Sequence, residues 1–153
     1  EIAAWCKENG SSMFQYMIDI YKDLGMYYEG LINVVRKGRT GAEEIQQMMK
    51  DFRENPPKEI AGSKVVELKD FQEQTSLNVK KKKKSVMDEI PKSNVLIYYT
   101  EDGTKVCVRP SGTEPKIKFY VSVKDQIASE QDFKDKVISL GAKIDKVKTD
   151  LNL

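Results

Sequence analysis

The residue types best suited to chemistry in this chain fall together in one short run, Arg109-Pro110-Ser111-Gly112-Thr113-Glu114-Pro115. Together they suit the holding of a phosphate. Arg109 offers a planar fork of donors that matches phosphate oxygens two at a time. Ser111 and Thr113 bring hydroxyls. Gly112 permits a positive φ, which would let successive N–H groups turn inward as an anion-binding nest. Pro110 and Pro115 fix φ at either end, and a loop already shaped for its anion loses less entropy when the anion arrives. Two more cations, Lys116 and Lys118, follow directly. Glu114 is the local conflict, because a carboxylate facing a phosphate repels it. It should point away, toward Lys116 or solvent. The plainer reading is a surface turn, since Pro, Ser, Gly and Thr are what turns are made of. The cations on both flanks weigh against it.

Composition narrows what such a loop could be part of. Histidine is absent from all 153 residues, which removes histidine acid–base catalysis, Ser-His-Asp triads and most zinc or haem arrangements from this chain. The net charge of +2 gives no whole-chain electrostatic case for nucleic acid or a membrane surface. No apolar run approaches the roughly 20 residues a membrane span needs. Cys6 and Cys107 are far apart in sequence, one in a helical segment and one in a strand, so free thiols in a reducing cytoplasm are expected. The length suits one domain, or one domain with a piece of another. The first residue is Glu1 and the opening residues already read as helix, so a fragment of a longer protein is expected.

The elements that must position the loop can be read in order. Glu1 to Glu8 reads as a short helix stopped by Asn9-Gly10. Ser11 or Ser12 caps a second helix, in which Phe14, Met17, Tyr21 and Leu24 recur at three- and four-residue spacing and Gly25 closes the run. Two helices this short cannot bury a core between them and should pack on something else. Tyr27 to Val35 is β-branched and aromatic, hence a strand. A helix begins at Thr40 or Gly41, with Glu43 and Glu44 suiting the positive end of its dipole. Ile45, Met48, Met49 and Phe52 form its apolar stripe, a core face rather than an adaptable binding groove. Lys64 to Leu68 is a second strand.

Gln72 to Lys92 is polar, interrupted and carries five lysines at Lys80 to Lys84, and reads as a mobile, solvated insertion. Val95 to Thr100 and Thr104 to Val108 are strands joined by Asp102-Gly103, the strongest hairpin signal in the chain. After the loop, Ile117, Phe119, Val121 and Val123 alternate with mostly polar neighbours, which implies one face on a core and one toward solvent. The last helix starts near Glu130, with Phe133, Val137, Leu140, Ile144, Val147 and Leu151 on one stripe. The order βαββββα gives an α+β domain, a largely antiparallel sheet with two helices on one face, preceded by two helices.

Arg109 to Tyr120, RPSGTEPKIKFY, resembles the phosphate-binding loop in the last domain of the α-D-phosphohexomutases, the phosphoglucomutases and phosphomannomutases. The likeness runs without a gap through the loop and into the next strand. The KIKFY ending is most similar to a branch that includes phosphopentomutase-type relatives. The resemblance implies a TATA-binding-protein-like fold for residues 26–153, and places residues 1–25 as the helical tail of a preceding, third domain. It implies a phosphosugar substrate and transfer of phosphate between the 1- and 6-positions of a hexose through a phosphoserine. It implies Mg²⁺ as a cofactor bound outside this stretch, since neither the phosphoserine loop nor the metal-binding aspartates have a counterpart here. The implied role of this portion is to hold the substrate's non-reacting phosphate through Arg109, Ser111, Gly112, Thr113 and Lys118, with no catalytic residue of its own. Two readings of other classes stand beside it. One is an anion-binding or interaction domain without catalysis. The other is a nucleic-acid module displaying Tyr98, Tyr99, Phe119 and Tyr120 on strands, although the low net charge and element order oppose that.

Overall fold

Ile117, Phe119, Val121 and Val123 are all buried to within 1% of complete, so the alternation read from the sequence does divide this strand between a core and an open side. The computed structural model describes residues 1–153. Its elements are α1 (Ile2–Glu8), α2 (Met13–Leu24), β1 (Met26–Val35), α3 (Gly41–Glu54), β2 (Glu59–Ile60), β3 (Ser63–Asp70), β4 (Thr75–Asn78), β5 (Lys83–Val86), β6 (Leu96–Thr100), β7 (Lys105–Pro110), β8 (Lys116–Asp125) and α4 (Asp132–Asp150). Every strand pairing is antiparallel, in the order β1-β8-β7-β6-β3-β4-β5, with the two-residue β2 appended to β3. The fold is α+β.

One face of the sheet carries the core. Val34, Ile117, Phe119, Val106, Val108, Leu96, Tyr98 and Leu68 lie on it. Ile45 and Met49 of α3 and Leu140 and Val147 of α4 are buried against it, as the two apolar stripes required. Phe52 meets Phe119 edge to face at 5.6 Å. The outer edge of α3 is tied down by polar contacts. Arg53 donates through Nε to Asp70 at 2.7 Å and through Nη2 to Asn94 at 3.1 Å, and the Tyr98 hydroxyl donates to the Phe52 carbonyl at 2.8 Å. Burial pushes the Tyr98 phenol well above its ordinary range, so it stays a donor.

The opening helices pack on the far end of α4. Ser12 caps α2, accepting from the Gln15 N–H at 3.0 Å. Ile18 is fully buried, and Phe14 and Tyr21 lie on either side of Phe133. Trp5, Met13 and Leu24 remain exposed.

The stretch 72–92 corrects the expectation of an irregular insertion. It forms a hairpin, β4 and β5, which extends the sheet beyond β3. The turn is closed by the Asn78 side chain, whose Oδ1 accepts from the Lys81 N–H at 2.9 Å. β5 is exposed along its whole length, so lysines can occupy it without desolvation, and they suit an edge strand.

Candidate phosphate-binding site

β7 runs two residues further than the expected end at Val108, and this decides the shape of the site. Arg109 is in the strand and its register partner on β8 is Lys118. Val106 and Val108 point into the core, so Arg109 points to the open side, and Lys118 and Tyr120 share that side with it. Side chains directly opposite on antiparallel strands have Cβ atoms roughly 4.5–5.5 Å apart, and like charges so placed are destabilising. Neither Arg109 nor Lys118 has an acidic partner. The neighbouring ion pair joins Lys116 to Glu114, both in or beside the loop. Asn33 of β1 continues the row beyond Lys118.

The loop between the strands is held open over this row. The Ser111 N–H donates to the Lys116 carbonyl at 2.8 Å and the Lys116 N–H to the Glu114 carbonyl at 2.7 Å, while the Pro115 carbonyl accepts from the Arg36 N–H at 2.9 Å. Arg109, Pro110, Ser111, Gly112, Lys118 and Tyr120 line a cleft of about 190 Å³. Glu114 is turned to Lys116, as the sequence demanded, and their hydrogen bond with the charges of Lys116 and Lys118 holds its carboxyl below the ordinary range. The conflict is resolved within the loop.

Two details differ from the expectation. Gly112 does not take a positive φ. The turn closes through the Ser111 and Lys116 backbone groups instead, so a nest of inward N–H groups does not form. The Gly112 N–H donates to nothing in the chain, and a Cβ there would meet no atom within 4 Å. Thr113 is exposed and does not line the cleft, its N–H lying 3.4 Å from Ser111 Oγ. Arg109, Ser111, Gly112 and Lys118 are therefore brought together, and Thr113 is not. Tyr120 was missed as a site residue, although its position two after Lys118 on one strand signals the same face.

The cleft gathers two cations, a hydroxyl and a backbone N–H without a partner. Cys107, next along on the open side, has its thiol pushed up by burial against the pull of Lys105 and Arg109. No group of three or more Cys, Asp or Glu side chains is placed to hold a metal ion. The metal that the resemblance implies finds no ligand set among these residues. No helix is long and apolar enough to cross a membrane.

With that geometry in hand, residues 31–140 match the family model "Phosphoglucomutase/phosphomannomutase, C-terminal domain". The chain belongs to that family. The phosphoglucomutase/phosphomannomutase match spans the loop and all the strands that flank it. The chain is also similar to the phosphoglucomutase of Staphylococcus aureus (strain MRSA252), 37% identical over 122 residues, 80% of this chain and 22% of that protein. The phosphoglucomutase of Staphylococcus haemolyticus is 33% identical over 117 residues, 76% of this chain and 21% of that protein. The chain thus spans about a fifth of the length of these curated relatives. Among solved structures, the open form of the Paramecium phosphoglucomutase pp63/parafusin aligns with 97% of this chain and 26% of its own, at 17% identity and a TM-score of 0.45.

Proposed function

We propose that this chain is the phosphate-gripping, C-terminal portion of a phosphohexomutase that moves phosphate between the 1- and 6-positions of a hexose. The observation that carries the reading is the facing pair Arg109 and Lys118, two cations on one cleft with no counter-ion in the chain. A dianionic phosphate turns that repulsion into attraction. The guanidinium would take two phosphate oxygens, Lys118 would add a point charge, and Ser111 Oγ and the Gly112 N–H would complete the set, with Thr113 joining from the rim.

Such a grip needs no reactive group of its own. Binding energy drawn from the phosphate that does not react can orient the hydroxyl that does, and orientation is a large part of phosphoryl transfer. Each hydrogen bond to a charged group is worth roughly 1.5–3 kcal/mol, so three or four would hold the sugar firmly. The bisphosphorylated intermediate has to turn end for end, and a grip carried on a separate domain can open to allow it. On this reading residues 1–25 belong to the preceding domain, which the exposed Trp5, Met13 and Leu24 support. Mg²⁺ and the phosphoserine lie in other domains of a cytoplasmic enzyme.

The test is Arg109→Ala in the complete enzyme, assayed with glucose 1-phosphate and mannose 1-phosphate. Loss of activity with an unchanged melting temperature is expected, and near-wild-type kinetics would overturn the assignment. Titrating the 153-residue chain with either sugar phosphate, against the unphosphorylated sugar, separates a grip that binds alone from one that needs the other domains.

A further inference from the structure

At the end of the sheet remote from the phosphate cleft, the core-bearing face runs out of cover. α3 packs mainly on β7 and β8, and α4 on β8, β1 and β2. Beyond them, the Pro56-Pro57 segment runs beside β3 and the β4–β5 hairpin. The result is a concave, mostly apolar groove of about 440 Å³, with Pro57, Val66, Leu77 and Val79 among its walls. Lys58, Lys64 and Lys80 stand at its rim. Leu68, Leu77 and Lys84 are successive register partners across β3, β4 and β5, so Lys84 lies on the groove side as well.

Charge selects the occupant. Lys80 to Lys84 turn an otherwise acidic chain basic. Of the five, only Lys80 makes an ion pair, with Glu101 at 2.5 Å. That pair cancels Lys80 and Glu101 together, and Glu59 stands opposite Lys64 across β2 and β3, so the charges left unbalanced are Lys58 and, on the hairpin, Lys84. An apolar floor with an unbalanced lysine rim fits a segment that is apolar on one side and acidic on the other. The shape excludes two other occupants. A bilayer needs a protruding apolar surface, and this one is recessed. An extended strand would have to pair with the edge of β5, where Lys83 and Lys84 guard the backbone.

We infer that the groove beneath the β4–β5 hairpin is a docking site for an acidic amphipathic helix of a partner protein. Its apolar residues at three- and four-residue spacing would seat on Leu77 and Val79, and its carboxylates would meet Lys81 and Lys84. The phosphate site plays no part in this contact.

The experiment measures fluorescence anisotropy of a labelled helical peptide of about 18 residues, with a Leu stripe and Glu elsewhere, added to the complete protein. The comparison probes are the same stripe with Lys in place of Glu, and vesicles of phosphatidylcholine containing phosphatidylserine. Saturable binding of the Glu peptide alone is expected, weakening as salt rises. Lys81→Gln, Lys83→Gln and Lys84→Gln together, which leave the groove floor and the fold untouched, should weaken it about tenfold or more. Leu77→Asp should abolish it. Absence of binding, equal binding of the Lys peptide, preference for vesicles, or an unchanged affinity in the triple lysine variant would each overturn the proposal.

Discussion

The two ends of β7 carry turns that treat their polar groups in opposite ways. At the β6–β7 end, every donor near Asp102 is engaged. Its Oδ1 accepts from Thr100 Oγ1 at 2.6 Å, from the Thr104 N–H at 3.1 Å and from Thr104 Oγ1 at 2.9 Å, and its Oδ2 accepts from Lys143 of α4 at 2.7 Å. Gly103 supplies the positive φ, +82°, that the tight turn requires. At the β7–β8 end, the loop closes on its own backbone while Arg109, Lys118 and the Gly112 N–H are left without partners. A turn whose only task is to reverse the chain satisfies itself. A turn that keeps cations facing each other bears a standing cost, which a bound anion would remove.

The sharpest way to break this comparison is to exchange the effects of the two turns. Arg109→Ala should lower kcat/KM of the complete enzyme by about 100-fold or more, since two charge-assisted hydrogen bonds are lost, with no fall in melting temperature. Asp102→Ala should do the reverse. It strands the buried hydroxyl of Thr104 and frees Lys143, at a cost of about 1–2 kcal/mol after allowance for the partial exposure of the carboxylate. Sugar-phosphate affinity should be unchanged. Chemical denaturation and steady-state kinetics on both variants decide the matter, and a kinetic defect in Asp102→Ala would erase the distinction.

Acid provides a gentler probe of the same contrast. Burial alone would raise the Asp102 pKa, but the hydrogen bonds from Lys143, Thr100 and Thr104 outweigh it and hold the carboxyl well below the ordinary carboxylate range. A group depressed in the folded state contributes its full stability above its unfolded pKa, about 3.9, and loses that contribution as pH falls toward the folded value. Melting temperature should therefore drop below about pH 4, and Asp102→Asn should flatten part of that fall. The smallest effect belongs to Thr113→Val, expected to change KM by less than about threefold because the side chain lies off the cleft. A loss as large as that of Arg109→Ala would mean that the loop closes over the bound phosphate.

The same contrast explains what could be read from the sequence. Asp102-Gly103 announced its turn because the signal is local, two residues with one favoured geometry. The helix stripes from Ile45 to Phe52 and from Phe133 to Leu151, and the alternation of β8, were equally local. The loop's composition and the resemblance it carries pointed to phosphate. What the sequence did not disclose depends on register. Nothing short of the β7–β8 pairing shows that Arg109 faces Lys118, or that Tyr120 joins them. The β4–β5 hairpin was hidden for a different reason. Five consecutive lysines erase the apolar alternation by which strands are recognised, and an edge strand tolerates this because both of its faces stay wet. Gly112 misled, since glycine permits a positive φ without requiring one.

The pairing of β1 with β8 has a consequence for how the molecule comes into being. Met26 lies opposite Asp125 and Val35 opposite Lys116, so the first strand of the sheet finds its seat only on the last. During synthesis β1 must leave the ribosome with Tyr27, Leu31 and Val35 unpaired and wait until nearly the whole chain has followed it. Pairings this distant in sequence close slowly and leave apolar edges open to aggregation in the interval. A chain cut short after β7 holds Arg109 but not Lys118 and has no berth for β1, so the facing pair of cations and the completed sheet come into existence at the same moment.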